Sequence, residues 1–332
     1  MASDDRTLSG DEADAQAPGS AGTAPGTRIG DFLVERQLGA GAMGEVLLAR
    51  NPDTGDRVAL KLIARRFSGE ENFLKRFERE IDALVRIEHP HIARAIAYGL
   101  HGELPFLAME FVDGRDLAGI LDDRGPIHEA DGLTIAMQVA RGLAHVHTEA
   151  GLVHRDVKPS NILLAHPGNP PPGRLLGDKG RVKLIDFGLA KSVDSETEQR
   201  LTMTGVIMGT PNYMAPEQVR GEADISYHVD IYALGASLYH LLTGQLPFPG
   251  SSPALVMTGH LTKAVPDPGL LVPSLDIATR KLVMTAMAKE RKDRFTDWRA
   301  FIVACERALH AKGGRETSQV RILRRAPDAI GT

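Results

Sequence analysis

The sequence is short of cysteine, of long apolar runs and of excess positive charge, and each shortage removes a class of protein. Cys305 is the single cysteine among 332 residues. It cannot close an internal disulfide, so nothing here demands an oxidising compartment. It lies in an amphipathic stretch where a buried, inert thiol fits best. No run reaches the ~18 consecutive apolar residues of a membrane-spanning helix. The start, Met1-Ala2-Ser3-Asp4-Asp5, lacks the basic and apolar regions of a secretory signal. The chain therefore reads as soluble and cytoplasmic. A net charge of -4 gives no overall basic field of the kind nucleic-acid binding needs. No nucleic acid is expected, and a peptide or nucleotide partner fits better.

What is present is globular. With 42% hydrophobic and 25% charged side chains, the chain can build a substantial core in one large domain or two lobes. Residues 1–28 are rich in Ala, Gly, Ser, Pro and Asp without apolar periodicity, which predicts a disordered acidic N-terminal tail. Residues 312–332 turn basic and loop-like around Arg321, Arg324 and Arg325, although Val320-Arg321-Ile322-Leu323 could add a short strand. A solvated tail and a docking segment for an acidic surface are both open for it.

Between the tails, Phe32 to Ile63 alternates and turns as antiparallel strands do, with Asn51-Pro52-Asp53-Thr54-Gly55 as a turn. From Glu70 to Ile87, Phe73, Leu74, Phe77, Ile81, Leu84 and Val85 recur at helical spacing. After Glu110-Phe111-Val112-Asp113-Gly114, helical patterns dominate: Leu133 to Glu149, Val229 to Leu242, Ser274 to Ala288 and Trp298 to Leu309. This order predicts an α+β chain, a sheet-rich part followed by a helix-rich part. Within residues 165–181, Pro167, Pro170, Pro171, Pro172 and four glycines separate two short apolar runs. A tolerated surface insertion and a regulatory contact are both open for it.

Several short motifs suit the handling of a nucleoside triphosphate. Gly39, Gly41 and Gly44 stand in Gly39-Ala40-Gly41-Ala42-Met43-Gly44-Glu45-Val46, where the lack of Cβ atoms lets backbone N–H groups approach phosphates. Alone this pattern also fits a dinucleotide-binding turn. Here Val46-Leu47-Leu48-Ala49 follows, which reads as a strand, not a helix. Lys61 in Val58-Ala59-Leu60-Lys61 is an ammonium on an apolar strand, either paired or snorkelling to water. His154-Arg155-Asp156-Val157-Lys158-Pro159-Ser160-Asn161, Asp186-Phe187-Gly188 and Ala215-Pro216-Glu217 come later. A lone Asp or Asn would more often cap a turn. His145, His147 and His154 lack the thiolates or ligand spacing of a metal cluster, and His154 reads as a packed structural histidine.

Taken in this order, from about Phe32 to about Leu309, these motifs resemble the protein kinase superfamily, and within it the eukaryotic-like serine/threonine kinases of bacteria. The resemblance implies a bilobal protein kinase-like fold: a small antiparallel β-sheet N-lobe (29–110) with one main helix, and a larger, mostly α-helical C-lobe (113–311). The kinase domain would span 29–311. It implies transfer of the γ-phosphate of ATP to Ser or Thr hydroxyls of protein substrates, with Mg²⁺ as cofactor and Mn²⁺ as a possible substitute.

Residue by residue, the resemblance makes Asp156 the catalytic-loop aspartate and Lys158 a neutralising cation. Lys61 contacts phosphates and pairs with Glu80, with Glu78 as the competitor. Asn161 and Asp186 ligate metal. Leu38, Gly39, Ala40, Gly41, Ala42, Met43, Gly44, Glu45, Val46, Ala59, Met109, Glu110, Val112, Asp116 and Leu163 surround the nucleotide. Thr210 bonds to Asp156 and Lys158, Glu217 pairs with Arg294, and Asp230 braces the catalytic loop. Arg155 and Lys191 would receive a phosphate on Thr202 or Thr204, written by autophosphorylation in a transient homodimer. The alternative of a different class is a pseudokinase scaffold that binds nucleotide without turnover. Many bacterial relatives carry a membrane span and external sensor after the kinase domain. This sequence has neither, so a wholly cytosolic kinase and a fragment both stand as readings.

Overall fold

Strand alternation builds one wall of the cleft. The computed structural model describes residues 23–41, 44–64, 71–187 and 211–323, with the side chains among them except those of 71–74, 76 and 312–323. Strands β1 (Arg28–Ile29), β2 (Phe32–Gly41), β3 (Gly44–Arg50), β4 (Arg57–Ile63), β5 (Ala95–His101) and β6 (Leu104–Glu110) form an antiparallel sheet of order β1-β2-β3-β4-β6-β5. Successive side chains on a strand point to opposite faces. Val58, Leu60 and Leu62 join Leu47, Ala49, Phe106 and Ala108 in one core cluster. That alternation sends Ala59 and Lys61 to the other face. The register sets Val46 opposite Lys61 and Ala59 opposite Met109, so these four share that face. A slip of one residue would carry Lys61 away from the cleft. The β3–β4 turn uses the expected chemistry: Asn51 Oδ1 accepts the N–H of Asp53 at 2.9 Å, and Gly55 is left-handed at φ 80°.

Helix α1 (Glu71–Leu84) buries Phe77, Ile81 and Leu84 in a second cluster. That cluster continues through Ile92 and Leu107 into the helical part, so one face of the sheet shares a core with the helices while the other face has its own. Below lie α2 (Leu117–Arg124), α3 (Glu129–Ala150), α4 (Pro216–Val219), α5 (His228–Thr243), α6 (Pro253–Thr262), α7 (Ile277–Ala286) and α8 (Trp298–Leu323). A small sheet joins β7 (Arg115–Asp116), β8 (Ile162–His166) and β9 (Arg181–Leu184), in that order. Helix α5 is apolar nearly all round and runs through the middle of this part. Left-handed Gly151 and Gly244 end α3 and α5.

Three expectations are corrected. The described chain begins at Thr23, and 23–29 is docked, not loose: Gly26 N–H donates to Val34 O at 2.8 Å and Val34 N–H to Thr27 O at 2.9 Å. At the other end α8 stays helical to Leu323, so residues 312–323 form neither a loop nor a strand. Two glycines, Gly313 and Gly314, cost about 1 kcal/mol each in a helix, which the helix-favouring residues around them offset. The 165–181 segment is bound into the fold. Leu175 and Leu176 lie in the main core, and buried Asp131 accepts Arg174 Nε and Nη2 (3.0 and 2.9 Å) and the N–H of Leu175 (2.7 Å).

Candidate active site

Lys61 is nearly buried, 8% exposed, and its ammonium is bound by the Asp186 carboxylate. A buried cation needs such a partner. The Lys61–Glu80 salt bridge expected from the resemblance is absent among the described residues. Asp186 takes that place, because the turn after β9 carries it to the ammonium with a left-handed backbone, φ 59°.

The 154–161 loop is held by the helices beneath it. Asp230 of α5 accepts the N–H of His154 and of Arg155, each at 2.8 Å. Arg155 is left-handed at φ 64°, a conformation that a non-glycine residue keeps only when its surroundings fix it. Burial pushes the Asp230 carboxyl up to about 7, against the pull of its two N–H donors. His154 is fully buried, its Nε2 meets Ile185 O at 3.1 Å, and its ring lies 4.6 Å from that of Phe187. His145 stacks on His89 and His147 meets Tyr227, so the three histidines go to three places.

Asp156 sits at the centre. Lys158 Nζ donates to its Oδ2 at 2.8 Å, and Asn161 Nδ2 donates to its Oδ2 at 3.2 Å and its backbone O at 2.8 Å. With its amide N–H groups spent on Asp156, Asn161 presents Oδ1 as the atom open to a ligand. Ile185 N–H donates to Asn161 O at 2.9 Å, which ties this group to Asp186. Asn161 and Asp186 are hard oxygen donors, and the set fits a divalent cation that takes its remaining ligands from phosphates and water.

The glycines separate into two kinds. A Cβ on Gly44, at φ 134°, would lie 1.8 Å from Leu62 O, so the fold demands glycine there. Gly39 and Gly41 have negative φ or extended backbone, and a Cβ on either would meet nothing within 4 Å. The fold leaves that space open. Glu45 requires a correction: it alternates with Val46, and its carboxylate accepts Thr23 N–H at 3.3 Å and the Thr23 hydroxyl. Its side chain lies away from the cleft, and only its backbone can line a nucleotide.

Val46, Ala59 and Met109 share the cleft face of the upper sheet, while Leu163 on β8 pairs with Asp116 and Lys183 below. Glu110 accepts Lys183 Nζ at 2.7 Å on both carboxylate oxygens, and its N–H donates to Arg94 O at 2.8 Å. Val112 O accepts Gly114 N–H at 3.0 Å. Asp116 caps α2 by accepting Gly119 N–H at 2.9 Å. Leu38 and Ala40 lie on β2 beside the glycines. Ala42, Met43, Gly188, Lys191, Thr202, Thr204 and Thr210 lie outside the described residues.

Beyond the loop, Glu217 and Arg294 form a bidentate buried pair at 2.7 and 2.8 Å. Burial opposes ionisation of Glu217, but the Arg294 guanidinium holds its carboxyl below the usual range. Sequence reasoning missed Gln218, which accepts Ala215 N–H at 3.1 Å and donates to Arg155 O at 3.1 Å. Its signal was there: a Gln two residues after a Pro at the first helical position can bond back to the cap.

Residues 32–306 match the family described as Protein kinase domain. The chain is similar to the serine/threonine-protein kinase PknF of Mycobacterium tuberculosis, 38% identical over 299 residues that cover 90% of this chain and 60% of PknF. It thus spans less than two thirds of that curated relative. A crystal structure of the Mycobacterium tuberculosis PknI kinase domain, a double mutant, superposes with a TM-score of 0.68 at 30% identity, covering 87% of this chain and 99% of that one. Rad53 in complex with AMP-PNP superposes with a TM-score of 0.65 at 27% identity, covering 82% and 64%. With its two-part fold, its fixed 154–161 loop and a family match over most of its length, the chain belongs to the protein kinase domain family.

Proposed function

We propose that the protein is a serine/threonine protein kinase that transfers the γ-phosphoryl group of ATP to Ser or Thr hydroxyls of protein substrates. The observation that carries the reading is the Asp156 carboxylate, held by Lys158 at 2.8 Å and Asn161 at 3.2 Å and tied through Asn161 and Ile185 to the Lys61–Asp186 pair. Relatives named serine/threonine-protein kinases support it, as does AMP-PNP bound in the Rad53 neighbour.

In this reading Asp156 orients the substrate hydroxyl and accepts its proton as the oxygen bonds to γ-phosphorus and the β–γ bridging bond breaks. Lys158 offsets charge on the moving phosphoryl group. Lys61 holds the α- and β-phosphates, and the backbone of Gly39, Gly41 and Gly44 covers them. Asn161 Oδ1 and Asp186 would hold Mg²⁺, with Mn²⁺ as substitute; when bound, the metal neutralises phosphate charge. Val46 and Ala59 would cover adenine from above and Leu163 from below, with Met109 behind it. Since Glu110 N–H and Val112 O are engaged, Glu110 C=O and Val112 N–H are the groups offered to the adenine edge. The carboxylate oxygen of Asp116 not used in capping would take a ribose hydroxyl.

The kinase domain in this reading spans 29–311, with 23–28 docked against it, and works where ATP is plentiful, in the cytoplasm. Activation by autophosphorylation at Thr202 or Thr204 in a transient homodimer is part of it. Arg155 Nε supports this, being buried without a hydrogen-bond partner among the described residues. Incubation with MgATP and a generic basic protein tests the activity. Labelled phosphate should reach serine and threonine, and Asp156→Asn should abolish transfer. Full activity in that variant would show the base misplaced. Mass spectrometry of the same incubation should find phosphate on Thr202 or Thr204, and an active protein unmodified there would remove the regulatory part.

A further inference from the structure

We propose that Gln218 is a positioning residue for phosphoryl transfer, one that sets the aim of Asp156 from the segment that faces the peptide substrate. The inference rests on Asp156 being the base. The peptide unit joining Arg155 to Asp156 is held at both polar ends: Gln218 Nε2 donates to Arg155 O at 3.1 Å, and His154 Nδ1 accepts Asp156 N–H at 3.2 Å. Rotation of that plane would swing the Asp156 Cα and its carboxylate together. Arg155 is left-handed, φ 64°, so relaxation toward an ordinary backbone is downhill unless something prevents it. Asp230 restrains the N–H side of Arg155 at 2.8 Å, and Gln218 restrains its carbonyl side.

Only an amide serves both contacts. Ala215 N–H needs an acceptor and Arg155 C=O needs a donor, which fixes which way the Gln218 amide faces. A carboxylate could keep the first bond and would lose the second. The base of the side chain is rigid as well. Pro216 precedes it at the start of α4, and its neighbour Glu217 is clamped by buried Arg294 at 2.7 and 2.8 Å. The same stretch is fastened further upstream, where Asn212 O meets His260 Nε2 at 3.0 Å and Tyr213 Oη meets His240 Nδ1 at 2.8 Å. Gln218 thus makes the 211–218 stretch and the catalytic loop one unit, so that a displacement of one is felt at Asp156.

The test compares wild type, Gln218→Glu and Gln218→Leu for peptide phosphorylation from pH 5.5 to 8, with thermal melting of each. Gln218→Glu should lower kcat about tenfold at pH 7.5, the size of one hydrogen bond lost from the support of Asp156, while KM for ATP stays within about twofold and Tm falls by no more than a few degrees. Its activity relative to wild type should recover toward pH 5.5, where a protonated carboxyl can again donate to Arg155 O. Gln218→Leu should lose kcat without that recovery. Wild-type kcat in Gln218→Glu at pH 7.5 would overturn the proposal. So would a pH-independent loss matched by a larger fall in Tm, which a purely structural role produces. An inactive wild type would instead bring down the kinase reading itself.

Discussion

Asp230 receives the backbone N–H of Arg155 at 2.8 Å from 75 positions along the chain, and so holds a left-handed residue directly before the candidate base. Its other oxygen takes His154 N–H at the same distance. Asp230→Ala would leave two buried N–H groups without acceptors, each costing ~1–3 kcal/mol. Stability should fall by about 2–5 kcal/mol, with phosphate transfer reduced as well. Urea unfolding together with a labelled-phosphate assay measures both, and a variant as stable as wild type would show that the loop is held by other means.

Lys61→Met separates catalysis from folding. The side chain is almost buried and bound to Asp186, whose own side chain is 30% exposed and stays hydrated. Methionine fills the volume without a charge to desolvate, so stability should move by less than about 1 kcal/mol in either direction. Phosphate transfer should drop by about 100-fold or more, the usual loss when one preorganised cationic or donor contact at a reacting group is removed. Melting curves and initial rates decide it. A large fall in Tm would mean that the pair serves chiefly to hold the sheet to β9.

Strand alternation made the upper sheet legible: the sequence Val58 to Ile63 alternates, and the structure puts Lys61 on the face opposite Leu60 and Leu62. Periodicity likewise revealed α1, α3, α5 and α7, whose buried stripes are long. Helix α2 escaped notice because it is only eight residues long, and α6 because its apolar residues do not gather on one face, Leu255 being exposed and Val256 buried. The partner of Lys61 was misjudged because pairing across 125 residues depends on the turn at Asp186, which spacing does not encode. The bond of the Glu45 carboxylate to Thr23 was hidden because a motif read as a unit masks the alternation within it. The bond of Gln218 to Ala215 is local and was readable, whereas its bond to Arg155 O and those of Asp131 to Arg174, Leu175 and Leu176 join groups brought near only by the fold.

Asp131 should govern the 165–181 segment. It is fully buried and carries Arg174, Leu175 N–H and, at 3.3 Å, Leu176 N–H, while Gln138 takes Val182 N–H at 2.9 Å and gives to Gly180 O at 2.8 Å. Asp131→Ala leaves the half-buried Arg174 guanidinium to water but strands both buried amides, at ~1–3 kcal/mol each. Limited proteolysis should then cut within 165–181 faster than in wild type. Transfer at low temperature should stay within about threefold, since none of these groups touches a candidate site residue. Unchanged cleavage would mean that Leu175 and Leu176, packed in the core, suffice to hold the segment.

His260 makes the helical part acid-sensitive. It is fully buried, accepts Tyr232 Oη–H on Nδ1 at 2.8 Å and donates from Nε2 to Asn212 O at 3.0 Å, a pattern that only the neutral ring satisfies. Burial, with the nearby Lys289 ammonium adding to it, pushes the imidazole down to about 4. The unfolded chain, with its histidine near 6.5, therefore binds more protons between pH 6.5 and 4, and stability falls as pH falls through that window. At about 1.4 kcal/mol per pH unit the loss from this one group reaches about 3 kcal/mol at pH 4 and is nil above about 7. His89, pushed down to about 4 chiefly by burial, acts in the same direction. In His260→Gln the amide nitrogen, which reaches about where Nε2 lies, can still donate to Asn212 O but cannot be protonated. Urea unfolding from pH 4.5 to 8 should give that variant a visibly shallower pH slope than wild type. Equal slopes would mean that the ring opens to water before it takes up a proton.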